Sequence, residues 1–127
     1  MTDRFKFRLW AKDIEMYFEK PLIYINTDGK LVAEDGIKVY EIDQKAYIIE
    51  QCTGLKDKNG KLIYEGDIVK LSSDREVVCL VVWDNEETGF CVEYKKELYR
   101  FNTYKKYHLI EVIGNIHENA DLLGEDK

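Results

Sequence analysis

Apolar and polar residues alternate with a period of two along most of this chain, the spacing of strands that bury one face. Phe5, Phe7 and Leu9 alternate with Lys6 and Arg8 and predict a strand over residues 4–10. Residues 14–18 carry a weaker strand pattern, closed by the single proline, Pro21, and residues 22–26 a third strand. Asp28-Gly29 and Asn59-Gly60 are strong hairpin signals, because these dipeptides supply the positive φ angles of tight turns. Further strands are predicted over 31–33, 37–42, 46–51, 62–64, 68–71, 76–83, 90–94, 98–101 and 107–113, with polar breaks at 34–36 and 84–89. Only residues 118–123 read as a short helical turn, capped by Asn115 or Asn119. Many short strands with frequent turn signals predict a barrel or sandwich. In such a fold Trp83 should be at least partly buried on a central strand.

Composition sharpens that picture. At 127 residues, with 45% apolar and 35% charged residues, the chain suits one domain, or one domain with a small appended lobe. Nine Tyr beside many Val and Ile favour a pleated, half-buried surface. The longest uncharged apolar run covers residues 77–83, far short of the roughly 20 residues a membrane helix needs. The charged N-terminus lacks a secretory h-region, so the expected location is the cytoplasm, with no membrane partner. Cys52, Cys79 and Cys91 form no Cys-x-x-Cys pair, which argues against a zinc site or disulfide scaffold. Whether Cys79 and Cys91 face each other across a hairpin depends on register. A net charge of −6 opposes long-range attraction to a phosphate backbone.

The central run Thr53-Gly54-Leu55-Lys56-Asp57-Lys58-Asn59-Gly60-Lys61-Leu62-Ile63-Tyr64-Glu65-Gly66-Asp67-Ile68-Val69 resembles the signature of the YopX family. The opening Phe7-Arg8-Leu9-Trp10, the strand Val81-Val82-Trp83-Asp84 and the close Glu111-Val112-Ile113-Gly114-Asn115-Ile116-His117-Glu118-Asn119 resemble that family's other motifs, in the same order. Residues 20–47 carry no recognisable motif. The resemblance implies a phage or prophage protein of Gram-positive hosts, β-rich, with an SH3-like barrel in its C-terminal half and a tendency to self-assemble. It implies no activity and no cofactor.

Combined with the strand pattern, the expected architecture is mainly β. An N-terminal β-rich region spans 1–50, and a YopX-like barrel core spans 51–127 and ends in the short helical turn.

The candidate chemistry has two readings at each place. In 53–69, glycines Gly54, Gly60 and Gly66 supply turns, and Asp57 accepts backbone N–H bonds within the Asn59-Gly60 turn. The alternative makes Asp57, Glu65 and Asp67 metal ligands or an acid/base pair, without a nearby His and with spacing unlike a calcium loop. His108 and His117 have no nucleophile that the sequence places beside them. No Gly-x-Gly-x-x-Gly, Walker A, His-Glu-x-x-His or Gly-x-Ser-x-Gly motif occurs, so nothing positive points to an enzyme.

Residues 94–108 are the most suggestive segment. Lys95, Lys96, Arg100, Lys105 and Lys106 stand against the single acid Glu97, interleaved with Tyr94, Tyr99, Phe101, Tyr104 and Tyr107. Single-strand binders combine cations for the backbone with aromatic faces for bases. The plainer reading is an amphipathic hairpin with aromatics in the core and lysines in solvent. The segment leaves the rest of the chain near −10, and much of that acidity lies in the N-terminal half. The function expected first is a non-catalytic protein-binding or self-assembling phage accessory module, partnered by itself and by a host or phage protein. A nucleic-acid-binding barrel using 94–108 is the alternative.

Overall fold

The computed structural model describes residues 6–17, 22–34, 36–72, 76–101 and 109–124. The fold is mainly β, built of antiparallel sheets, one of them a curled half-barrel. No α-helix occurs among the described residues. The described residues divide into two units, one spanning Lys6–Gln51 and one beginning at Cys52.

In the N-terminal unit, β1 (Phe7–Ala11) runs antiparallel to β2 (Met16–Tyr17) and to the first half of β6 (Tyr47–Lys56). A separate sheet has the order β3-β4-β5, formed by Leu22–Ile25, Leu31–Glu34 and Val39–Glu41. The β3–β4 turn is the predicted Asp28-Gly29 turn. Gly29 sits at φ +78°, and the Asn26 Oδ1 accepts the Asp28 and Lys30 amides at 3.0 Å each. Leu9, Leu31, Ala33 and Ile42 form the core of this unit, with Tyr47 and Ile49 packed on it. Leu9 lies opposite Ile49 in the β1–β6 ladder, so the alternation read from the sequence selects the buried face.

In the C-terminal unit the second half of β6 pairs with β7 (Leu62–Tyr64). Beyond it lies a five-stranded sheet of order β11-β10-β9-β8-β12. Its strands are β8 (Asp67–Ser72), β9 (Glu76–Asp84), β10 (Gly89–Tyr94), β11 (Glu97–Arg100) and β12 (Ile110–Asn115). Register aligns Ile110 with Leu71, Val69 with Cys79, and Val81 with Val92. These side chains line one face and, with Ile63 and Phe101, make the core of the unit. Val78, Leu80 and Val82 alternate with that set and are only half-buried. The helical turn is a 3₁₀ turn, Ala120–Leu123, which packs against β9.

Two local expectations change. Gly54 was expected to form a turn, but β6 runs through it. At φ +87° it lies where the β6–β7 register slips between Cys52 and Lys56, so it makes a bulge that bends a continuing strand. Trp83 is on the central strand β9 yet remains 42% exposed. It lies at the strand end beyond the core, covered edge-on by Phe90 at 5.0 Å, and its indole N–H donates to Asn85 Oδ1 at 2.7 Å.

Candidate functional site

The residues of the central motif are spent on holding the C-terminal unit together. Asp57 is buried. Its Oδ1 accepts the amides of Asn59 and Lys61, and its Oδ2 accepts the amide of Val112, each at 2.9 Å. Burial alone would raise this carboxyl's pKa. The amides of Val112, Lys61 and Asn59, with the Lys61 charge, outweigh burial and hold it below the ordinary carboxylate value. Asp67 is buried as well, and its Oδ2 accepts the Tyr64 amide at 2.7 Å across the 64–67 turn. Gly66, at φ +90°, donates its amide to the Val81 carbonyl and accepts the Ile116 amide.

The closing motif is built in the same way. Asn115 Oδ1 accepts the amides of His117 and Glu118 at 3.0 Å, and Asn119 Oδ1 accepts the Asn115 amide at 3.1 Å. Asn119 is the N-cap of the 3₁₀ turn, but its side chain bonds back to Asn115 and not into the turn. Asn119 sits so close to Gly114 that a Cβ there would lie 2.6 Å from its Oδ1. Gly114 is also where the β12–β8 ladder shifts register. The motif segments at 53–69, 81–84 and 111–119 therefore meet through backbone bonds, and both oxygens of Asp57 and the Oδ2 of Asp67 already accept backbone amides. Among the described residues no group of three His, Cys, Asp or Glu side chains is placed to hold a metal.

The thiols are poor nucleophiles where they stand. All three are buried. Burial pushes the Cys79 thiol up to about 11. Cys91 is also raised, chiefly by burial and then by the Asp84 charge, with Arg100 opposing and Glu87 adding. Register settles their relation: Cys79 lies opposite Val69 on β8, and Cys91 opposite Val82 on β9, so the two do not face each other. His117 is half-buried beside the closing turn, and His108 falls outside the described residues.

The basic-aromatic segment separates into several environments. Phe101 is 5% exposed and belongs to the core, so it offers no face to a base. Tyr94 and Tyr99 pack against that core from its margin, and the Tyr99 hydroxyl donates to Glu97 at 2.9 Å. Arg100 pairs with Glu87 at 2.7 Å on the surface. Lys95 and Lys96 are exposed at the tip of the β10–β11 hairpin, where the Lys95 ammonium lies 5.4 Å from the Tyr94 ring centre. Tyr104, Lys105 and Lys106 lie outside the described residues, as does Tyr107.

Sequence reasoning missed a part-buried ion pair in the N-terminal unit. Arg8 Nε lies 2.7 Å from Glu50 Oε1, which also accepts the Tyr17 hydroxyl at 2.9 Å. The Arg8 guanidinium lies 4.5 Å from the Tyr17 ring centre, and Tyr17 meets Trp10 edge-on at 4.9 Å. Period-two alternation puts Arg8 on the face opposite Leu9, but its partner is 42 residues away and no local signal names it.

The structure matches protein EF1440 from Enterococcus faecalis at a TM-score of 0.64 and 25% identity, over 93% of this chain and 96% of that one. It matches protein yopX from Bacillus subtilis at a TM-score of 0.61 and 24% identity, over 95% of this chain and 97% of that one. No curated protein matches the sequence. The YopX protein family model matches residues 6–124, a span that contains every motif whose hydrogen bonds are described above, and this chain belongs to the YopX family.

Proposed function

We propose that this protein is a non-catalytic module that binds a protein partner and assembles with itself. One contrast carries the reading: the motif residues Asp57, Asp67, Asn115 and Asn119 spend their side-chain acceptors on backbone amides, while large apolar side chains stay in solvent. Trp83, Leu98 and Leu122 are exposed on the C-terminal unit, and Ile14, Met16, Ile37 and Val39 on the N-terminal unit. Ile37 is 92% exposed and stands two positions before Val39 at the edge of the β3-β4-β5 sheet. Met16, Val39 and Leu98 lie on edge strands, where exposed apolar groups favour association, and Trp is a strong interface anchor. Buried thiols, with two of the three raised in pKa, support a role without nucleophilic chemistry.

In this reading the C-terminal unit is an SH3-like small barrel, a placement supported by its five-stranded antiparallel sheet and its single continuous core. The family resemblance adds a phage or prophage accessory role in the host cytoplasm. The single-strand nucleic-acid reading retains Lys95, Lys96 and the margin of Tyr94, with Phe101 withdrawn into the core and Arg100 paired to an acid. Size-exclusion chromatography with light scattering, alone and with a short single-stranded DNA at low salt, separates the two. A discrete oligomer that ignores the DNA supports the assembly role. A monomer that co-elutes with DNA and releases it as salt rises overturns it.

A further inference from the structure

Outside the core, the C-terminal unit carries a groove of about 240 Å³ beside the 3₁₀ turn. Its floor is aliphatic, made by Val78 and Leu80 of β9 and Leu123 of the turn. Its rim carries both signs of charge, Glu76 and Glu93 against Lys95 and Lys96. Glu93 stands directly across from Leu80 in the β9–β10 ladder, so charge and floor are adjacent.

The rim lysines occupy an unusual position. Tyr94 pairs with Glu97, which leaves Lys95 and Lys96 as a two-residue hairpin loop with φ of +52° and +68°. Positive φ at both positions belongs to a turn that Asn-Gly fills most easily, and two lysines are strained there. Among the described residues, Lys95, Lys96 and Glu93 have no ion-pair partner, whereas Glu76 is paired with Lys70.

Size and charge together choose the ligand. Pockets for drug-sized molecules and cofactors run from about 300 to 1,000 Å³, so this groove holds one or two amino-acid residues. A phosphate chain reaching the lysines would also meet Glu76 and Glu93, whereas a ligand carrying both signs satisfies both. We propose that the groove captures the C-terminal end of a partner protein. An aliphatic last residue lies on Val78, Leu80 and Leu123. Its carboxylate meets Lys95 and Lys96, and a preceding basic side chain meets Glu76 and Glu93. Capture of a terminal carboxylate is a recurring mode of peptide recognition. This inference rests on the protein-binding reading above.

The test is a titration of the full chain with acetyl-lysyl-leucine, followed by amide proton–nitrogen NMR. Saturable shifts confined to β9, the 93–96 hairpin and Leu123 are expected. Acetyl-lysyl-leucinamide, which lacks the carboxylate, should bind about fivefold more weakly or worse. The double variant Lys95→Asn, Lys96→Gly suits the turn, so it should melt no lower than the parent while losing the dipeptide to a similar degree. Non-saturable shifts, or equal binding of the amide, overturn the proposal. Light scattering on the same sample keeps the two ideas apart. Self-association without dipeptide binding removes the groove and leaves the module reading. A monomer that shows shifts at 93–96 only with single-stranded DNA removes both.

Discussion

Asp57 and Val112 stand 55 residues apart in sequence, yet the Asp57 Oδ2 accepts the Val112 amide at 2.9 Å. The other oxygen of the same carboxylate closes the Asn59-Gly60 turn through two further amides. A neighbouring backbone bond, from the Lys58 amide to the Ile110 carbonyl at 2.8 Å, runs beside it. One buried side chain thus ties the loop after β6 to the strand that ends the sheet.

Replacing Asp57 by Asn removes one acceptor oxygen and turns an NH₂ toward a backbone donor. We expect a loss of about 1–3 kcal/mol in urea unfolding, the cost of a buried unsatisfied donor. The pH dependence has a definite sign. The folded carboxyl lies below its ordinary value of 3.8, so its contribution is fully present above about pH 4. It is lost as pH falls through the folded value. The stability gap between parent and Asp57→Asn should therefore close on acidification, and a gap constant down to pH 2 would contradict this account.

Gly114→Ala should destabilise by about 1–3 kcal/mol, because the new methyl group meets the Asn119 side chain. Asn119→Ala alone loses the acceptor for the Asn115 amide. With both substitutions the contacts to the Asn119 Oδ1 and Cγ disappear and only the 2.8 Å approach to its Cβ is left, so the double variant should be more stable than the sum of the single losses predicts. Thermal melts of the four proteins check this, and strict additivity would refute the contact.

Arg8→Met removes the guanidinium 2.7 Å from the buried Glu50 carboxylate and should cost about 3 kcal/mol. Arg8→Met combined with Glu50→Leu should recover part of that loss, since an apolar pair needs no charge compensation while the Tyr17 hydroxyl loses its Glu50 acceptor. Denaturant midpoints of the two variants decide the matter.

Phe101→Ala and Arg100→Ala separate core from surface within the basic-aromatic segment. Loss of the buried ring should cost about 3–5 kcal/mol. Loss of the exposed guanidinium paired with Glu87 should cost less than about 1 kcal/mol. Comparable losses in urea titrations would contradict the placement of Phe101.

Native Cys79 and Cys91 should resist iodoacetamide at pH 8, because burial disfavours both thiolates. Mass spectrometry should find them labelled only after urea unfolding. Mild oxidation should form no Cys79–Cys91 disulfide, given their different strand partners. Rapid native labelling of Cys79 would place it outside the core.

Much of this architecture is local, and local patterns were readable. Alternation marked the strands, and Asp28-Gly29 and Asn59-Gly60 marked turns whose glycines do adopt positive φ. Asp57 was correctly read as a turn acceptor, but only for its near partners. Its bond to Val112 was hidden because nothing in a sequence states which distant amide a second carboxylate oxygen will meet. Trp83 shows the converse limit. Its strand was legible, but whether the core reaches the end of that strand depends on neighbours contributed by other segments.

The sequence by itself determined the β class, most strand positions, the tight turns and the family, because these follow from side-chain period, backbone preference and motif order. Only the tertiary structure decided that the motif carboxylates and asparagines are internal braces, that Arg8 and Glu50 form a part-buried pair, and that Glu76, Glu93, Lys95 and Lys96 share one groove. Those relations depend on strand register and order, which bring together groups far apart in the chain, and a two-residue period is the same in every register a strand can adopt.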